Sequence, residues 1–597
     1  MRFVYLGADP DTTLALLQLP VTAARSDVAV LLCPPFGWDD VCSYRSRYAW
    51  SQALAEAGHP TVRIDLPGTG DTDGSPRTPG RLDAWTDAVS MAARWLRDET
   101  GCGRIAAIGL GLGGLVAYVA LVRDAEIDDL ALWAVPARGR ALVRELRAFS
   151  LLERAAADAL EPGPALPDHS ALEVPGADDG SLEVGGFVMT AETVEALERV
   201  DLMKLALPDA ARRRVLLLGR DDLAPDARLR EHLERAGTAV SVADGRGYGL
   251  MMQDPRIARP PRQVFAQTIS WLAATPSGSA RSPADRGSYS APRPRATLEL
   301  MCGDEAVRET PFRVQVGAER LFGILSEPAA GQRAGATAVL FNAGSVRRIG
   351  PNRMWVEIAR SWAARGVPTL RIDLSGVGDS DGDERPYLST AAYYVPELTE
   401  RAVAVLDALG SRGLPNRFIL GGLCSGAYWS FACASQDERV IGALMINLWT
   451  FAWSDDLAAE RALRNAGRLL RGDGPRDWTL RNVYEAGLRV IRTSLGRRRS
   501  RTRRARETRA VLDRLRDRRT ELLLQFSADE ALYDDLARDR ILDDLDRWPN
   551  LRLERIPGHD HTFRALRSQS QLRRDFDEAL GRVLAGIGES GPSRGEI

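Results

Sequence analysis

The sequence predicts two α/β units in tandem, each a mostly parallel sheet flanked by helices with a helical cap inserted over one end. Three observations lead there. A chain of 597 residues is long enough to build two large cores. The segment Arg63-Ile-Asp-Leu-Pro-Gly-Thr-Gly-Asp-Thr-Asp-Gly74 recurs as Arg371-Ile-Asp-Leu-Ser-Gly-Val-Gly-Asp-Ser-Asp-Gly382, and self-similarity across whole units points to duplication. Apolar runs alternate with helical periods in both halves, as a parallel sheet with crossover helices requires.

The stretch 275–297, rich in Pro, Ser, Gly and Arg, reads as a linker. The units are therefore expected at 1–274 and 298–585, with a flexible tail over 586–597. In the second unit an antiparallel hairpin is expected over Arg313–Leu325. Strands follow at Ala338–Asn342, Pro368–Asp373, Arg417–Leu420, Ala443–Leu448, Glu521–Phe526 and Leu551–Ile556. Amphipathic helices, Tyr48–Ala57 and Met354–Arg365, precede the repeated motif in each copy. Segments 136–205 and 450–515 are too long for simple crossovers and are expected to cap their sheets.

A hydrophobic content of 45% with 27% charged residues describes an ordinary globular protein. The net charge of −2 argues against a global nucleic-acid-binding role. Lys204 is the only lysine, which reads as the coding bias of a GC-rich bacterium. Six cysteines without CxxC spacing predict neither a zinc site nor a disulfide framework, and no metal or cofactor is expected. The start of the chain carries Asp9 and Asp11 where a signal peptide would be apolar, and no stretch has the apolar length to span a bilayer. A cytoplasmic protein is expected.

The chemistry is expected at Cys424. The apolar run Phe418-Ile-Leu leads into Gly422-Leu-Cys-Ser-Gly426, a nucleophile elbow with cysteine in place of serine. A cysteine among glycines is often only a small buried apolar residue, but the residues that follow form an ordered set. Asp529, beyond the strand Leu522–Phe526, is the expected orienting acid. His561, in Asp-His-Thr-Phe after the next strand, is the expected base, with His559 as the alternative. An oxyanion hole is expected from the amide of Ser425 and that of Gly344 or Ser345 in the loop Asn342-Ala-Gly-Ser345. The arginine-rich continuation, residues 347–353, is expected to overlook the pocket mouth. In the first unit the elbow reads Gly109-Leu-Gly-Leu-Gly113, which puts Gly111 at the nucleophile position. Asp221 or Asp222 keeps the acid position, but no histidine follows the last strand, so this unit is expected to be non-catalytic.

These motifs resemble the α/β-hydrolase superfamily twice over, across nearly the whole chain. Through Gly422-Leu423-Cys424 the second unit is similar to hydrolases associated with exosortase and exopolysaccharide systems. Through Pro34-Pro35-Phe36 and a Gly-Tyr ending near Met251–Pro255 the first resembles their companion hydrolase. The resemblance implies acyl or thioester chemistry without fixing a substrate.

A cysteine nucleophile exchanges readily with thioesters, so the expected donor is an acyl group on coenzyme A or an acyl carrier protein. An alcohol or amine is the expected acceptor, water the alternative. A non-enzymatic scaffold is the competing class, although it would need neither Cys424 nor His561. The cluster containing Arg497, Arg498, Arg499 and Arg501 is the expected contact for an anionic donor, the other reading being a solvated basic stretch. Without interleaved aromatic residues it does not suggest nucleic-acid binding.

Overall fold

The computed structural model describes residues 1–21, 25–158, 180–274, 293–454, 457, 461, 497–528, 530–558 and 560–589. Most of the expected linker, most of the cap expected over 450–515 and most of the expected tail lie outside the described residues; at the linker's described end Arg295 bridges Tyr5 of the first strand.

The N-terminal half forms strands β1 (Arg2–Leu6), β2 (Thr13–Gln18), β3 (Val28–Cys33), β4 (Thr61–Ile64), β5 (Arg104–Leu110), β6 (Asp129–Trp133), β7 (Leu182–Val184), β8 (Phe187–Met189), β9 (Arg214–Leu218) and β10 (Ala239–Ala243). Eight of them make one sheet in the order β1-β2-β4-β3-β5-β6-β9-β10, and β7 and β8 form a separate hairpin. All pairs from β4 to β10 are parallel, while β1 and β2 are antiparallel. Every residue of β3 and β5 is buried. Helices cover both faces of a parallel sheet, so its central strands carry unbroken apolar runs instead of alternation.

The C-terminal half repeats this plan with β11 (Leu298–Cys302), β12 (Glu305–Val316), β13 (Glu319–Pro328), β14 (Thr337–Leu340), β15 (Thr369–Asp373), β16 (Phe418–Leu423), β17 (Val440–Ile446), β18 (Glu521–Phe526) and β19 (Leu551–Arg555). The order is β11-β12-β13-β15-β14-β16-β17-β18-β19, parallel from β15 onward. The expected strands fall within a few residues of these, and the expected hairpin lies inside β12 and β13, with β11 added at the edge. The expected helices are Trp38–Glu56 and Met354–Ala364. Over the N-terminal sheet the described part of the cap is the helix Gly139–Asp158, the β7–β8 hairpin and the helix Ala191–Arg199.

The halves meet through their antiparallel strands and their repeated motifs. Phe3 stacks on Phe322 with ring centroids 4.0 Å apart, inside an apolar cluster that takes Tyr5, Leu14 and Leu16 from one sheet and Leu300, Val307 and Ile324 from the other. Beside it the motifs pair crosswise. Arg63 of the first copy donates to Asp379 of the second at 2.6 Å, and Arg371 of the second donates to Asp71 of the first. Each copy thus gives the arginine and accepts at the aspartate, the reciprocity of a two-fold interface.

Arg347 and Arg348 complete this network, which corrects the expectation that they overlook a pocket mouth. Both are fully buried. Arg347 holds Asp65 at 2.9 Å and Asp40 at 3.2 Å. Arg348 meets Asp71, Asp373 and Asp379 at 2.7–2.8 Å. Arg353 donates to the carbonyls of Gly70 and Thr72. A guanidinium leaves water only where carboxylates or carbonyls replace its hydration, and the acids of both motif copies supply that here. Burial alone would raise the acids' pKa values. At Asp71 the arginines Arg348, Arg371 and Arg347 override it and hold the carboxyl down at about 2. At Glu309, Arg360 and Arg371 likewise hold it at about 2.

Candidate active site

β16 ends at Leu423 and a helix begins at Ser425, which leaves Cys424 alone at the apex. Its φ of 56° and ψ of −109° lie where only glycine is unstrained. The neighbouring residues make that turn possible. A Cβ on Gly422 would come within 2.2 Å of Gly426 C, and one on Gly426 within 2.3 Å of the Asn342 carbonyl oxygen. The Cys424 amide is anchored on Ile446 O at 2.9 Å, so the side chain is presented at the carboxyl end of the sheet.

His561 comes to the same place. Its Nδ1 is 2.6 Å from Glu530 Oε1, and the Cys424 sulfur lies within hydrogen-bonding reach of the imidazole. The carboxylate seen against the histidine is Glu530, the neighbour of the expected Asp529. Asp529 and the alternative base His559 lie outside the described residues. Glu530 is buried and accepts a further bond from Ser527 Oγ at 3.1 Å. Asn447 ties the acid-bearing and histidine-bearing loops together. Its Nδ2 donates to His561 O at 2.7 Å and its Oδ1 accepts from the Ser527 amide at 2.8 Å.

Burial disfavours the imidazolium of His561, but Glu530 and the Cys424 sulfur outweigh it and raise the pKa well above the usual histidine value. His561 is thus expected to rest as the imidazolium. Removing the Glu530 charge should show this directly. In Glu530→Gln the His561 pKa is expected to fall, so NMR titration should find the ring deprotonating at lower pH than in the wild type. An unchanged titration would mean that Glu530 does not govern the ring.

Two tyrosines line Cys424. Tyr393 Oη shares a 2.5 Å hydrogen bond with Ser345 Oγ. The Tyr394 hydroxyl is buried, forms no hydrogen bond of good geometry among the described residues and sits within electrostatic reach of the Cys424 sulfur. Burial first, then that sulfur, raises its pKa, so it remains a proton donor beside Cys424. Gly344, with φ of 57°, donates its amide to Ser425 Oγ at 3.1 Å. The structure so brings Ser425, Gly344 and Ser345 to the end of the elbow. Arg497, Arg498, Arg499 and Arg501 lie on the helix Arg497–Asp517, but their side chains are outside the described residues.

The N-terminal half carries the same elbow without a nucleophile. Gly111 has φ of 49° and ψ of −116°, its amide bonds Trp133 O at 3.0 Å, and a Cβ on Gly113 would meet Pro34 O at 2.3 Å. Asp221 accepts from the amides of Gly247 and Gly249 at 2.6 and 2.8 Å, so the acid position is spent on the backbone of the last loop. Tyr248 on that loop is buried next to Gly111. His59 and His232 bond carbonyl oxygens elsewhere, and His169 lies outside the described residues.

The N-terminal half also braces the histidine loop. Glu183 on β7 accepts from the Leu566 amide at 3.0 Å, and Glu153 meets Arg564 at 3.0 Å. Arg564 also lies over the ring of Trp38, 5.3 Å from its centroid. In Glu183→Gln/Glu153→Gln, turnover is expected to fall several-fold while global stability changes little, because surface-type ion pairs are each worth about 1 kcal/mol or less. Wild-type turnover in a folded double variant would remove the brace from the catalytic picture.

Strand order and elbow make this the α/β-hydrolase fold in both halves, with a histidine loop in the C-terminal half alone among the described residues. No known family profile matches the chain, and no curated protein matches it. Among solved structures it is similar to mouse alpha/beta hydrolase domain-containing protein 10 at 16% identity, covering 46% of this chain and 97% of that one with a TM-score of 0.29. It is similar to a proline iminopeptidase of Mycobacterium smegmatis at 14% identity, covering 46% and 98% with a TM-score of 0.31. Est1E of Butyrivibrio proteoclasticus, solved with ferulic acid bound, aligns at 15% identity over 45% and 99% with a TM-score of 0.31. Among the described residues no cluster fit for a metal ion occurs, and no helix is long and apolar enough to cross a membrane.

Proposed function

We propose that the C-terminal half is an acyl-transfer enzyme with a Cys424–His561–Glu530 triad, and that the N-terminal half is a non-catalytic domain of the same fold. The supporting observation is the imidazole of His561 set between a buried carboxylate and the sulfur at the apex of the elbow. The domains divide at 275–297, and the repeated motif argues for duplication.

The Cys424 thiolate attacks the carbonyl carbon of an acyl thioester carried by coenzyme A or an acyl carrier protein. A new S–C bond forms as the donor's C–S bond breaks, and the departing thiolate takes the proton of the His561 imidazolium. The second step transfers the acyl group to an alcohol or amine. The acceptor gives its proton to His561, its oxygen or nitrogen bonds the acyl carbon, and Cys424 leaves as thiolate. The Ser425 amide, with Gly344 or Ser345, would hold the oxyanion in both steps. Gly344 would have to release the Ser425 hydroxyl, an exchange of one hydrogen bond for a stronger, charge-assisted one. Glu530 fixes the tautomer and supports the imidazolium. Arg497, Arg498, Arg499 and Arg501 are proposed to contact the donor's anionic groups.

The test is mass spectrometry of the intact protein after incubation with acyl-coenzyme A and acyl carrier thioesters. A single acyl adduct on the peptide holding Cys424 is expected, discharged faster by an alcohol or amine than by water. An adduct on Ser425 would overturn the triad. Discharge by water alone would make the enzyme a thioesterase.

A further inference from the structure

The N-terminal half encloses a cleft of about 360 Å3 above its empty elbow, at the small end of the usual range for ligand sites. Gly111 and Tyr248 form its floor, and its walls are apolar, including Phe36, Leu132, Leu142, Leu146, Leu217 and Leu229. The space a nucleophile would occupy is open, because a Cβ on Gly111 would meet nothing nearer than the Tyr248 hydroxyl at 3.9 Å.

Among the described residues, the charges around this cleft are paired with one exception. Arg220 meets Glu145 at 3.3 Å, and its guanidinium lies 5.1 Å from the centroid of the Tyr248 ring. Arg228 meets Asp226 at 3.4 Å, and Arg138 meets Asp201 at 3.5 Å. Asp39, a half-buried residue in the first turn of the helix after Pro34-Pro35-Phe36, lines the same cleft. Its carboxyl makes no hydrogen bond or ion pair among the described residues. Arg220 acts on it only at a distance, being committed to Glu145; a carboxylate withdrawn from water without a directly bonded counter-charge is costly, and a ligand cation would lower that cost.

We propose that this cleft binds a small apolar amine, its ammonium on Asp39 and its hydrocarbon part against the leucine-lined wall. A fatty carboxylate has the right apolar body but the wrong charge, since every arginine on the cleft is already engaged. The assignment stands on the N-terminal half alone and does not depend on the chemistry of Cys424. Burial pushes the Asp39 carboxyl up to about 6; Arg220 opposes this, while Glu145 and Asp40 reinforce it. An amine is protonated throughout this range, so its affinity should follow ionisation of Asp39 and fall roughly tenfold from pH 7 to pH 5.

Isothermal titration of the full chain with n-hexylamine, n-hexanol and hexanoate tests the proposal. Hexylamine is expected to bind at one site, with hexanoate at least about tenfold weaker. Asp39→Asn should weaken hexylamine by at least about tenfold and leave hexanol unchanged. Ala141→Phe, which fills the cleft from a half-buried helical position, should abolish binding of both. Absence of hexylamine binding to the wild type, or wild-type hexylamine affinity in either Asp39→Asn or Ala141→Phe, would overturn the site. Hexanoate binding as tightly as hexylamine would overturn its charge preference.

Discussion

Cys424→Ala is expected to lose covalent capture of the acyl group and at least about three orders of magnitude in turnover, because nucleophile removal leaves only binding and oxyanion stabilisation. Cys424→Ser is the more informative variant. Serine fits the apex sterically, but its hydroxyl is far less acidic than a thiol and cannot rest as an anion beside the imidazolium of His561. Turnover with thioester donors should therefore remain low in the serine variant, although the fold is unchanged. Steady-state rates with one acyl-coenzyme A donor, alongside circular dichroism of each variant, check this. A fully active alanine variant would show that the reacting group lies elsewhere. A fully active serine variant would show that the thiolate is dispensable.

Arg348→Met is expected to be the most destabilising single change away from the active site. Arg348 meets three buried carboxylates, and removing one member of such a set leaves the others uncompensated, at a cost of about 3–5 kcal/mol. Denaturant titration should show the loss as a lower midpoint. Acid should act on the same network. The pKa values of Asp71 and Glu309 are depressed to about 2, so their stabilising contribution is complete above the ordinary carboxylate range and disappears as pH falls from roughly 4 to 2. Association of the halves, followed by scattering after cleavage in the 275–297 segment, should persist at pH 5 and fail near pH 2. Stability unchanged in Arg348→Met would mean that water replaces the guanidinium and the network is not closed.

The sheet was readable from sequence because its strands are continuous apolar runs, and β18 has the very limits, Glu521–Phe526, expected of it. Cys424 was readable because close packing at the elbow demands glycines at fixed positions. Glu530 was not singled out, because it stands beside Asp529 at one strand end and its bond to His561 depends on a turn pinned by Asn447, just beyond β17. Tyr394 carries no local mark either, since its hydroxyl gains meaning only from a sulfur brought near by folding. The arginines at 347 and 348 were misjudged for a related reason. Charge in a sequence suggests exposure, and the acids that allow these two to be buried include Asp65 and Asp71 near the other end of the chain.

The crosswise pairing of Arg63 with Asp379 and Arg371 with Asp71 has the form of a homodimer contact whose two protomers share one polypeptide. In such an arrangement the repeated segment serves adhesion, and its constraint is indifferent to whether either elbow reacts. Either elbow can therefore carry cysteine or glycine with no penalty at the seam, while any change to one Arg-Ile-Asp-Leu segment would be felt by the other half. The pair is thus free to specialise in chemistry and bound to remain matched in shape, and the halves expressed as separate chains should find each other in solution.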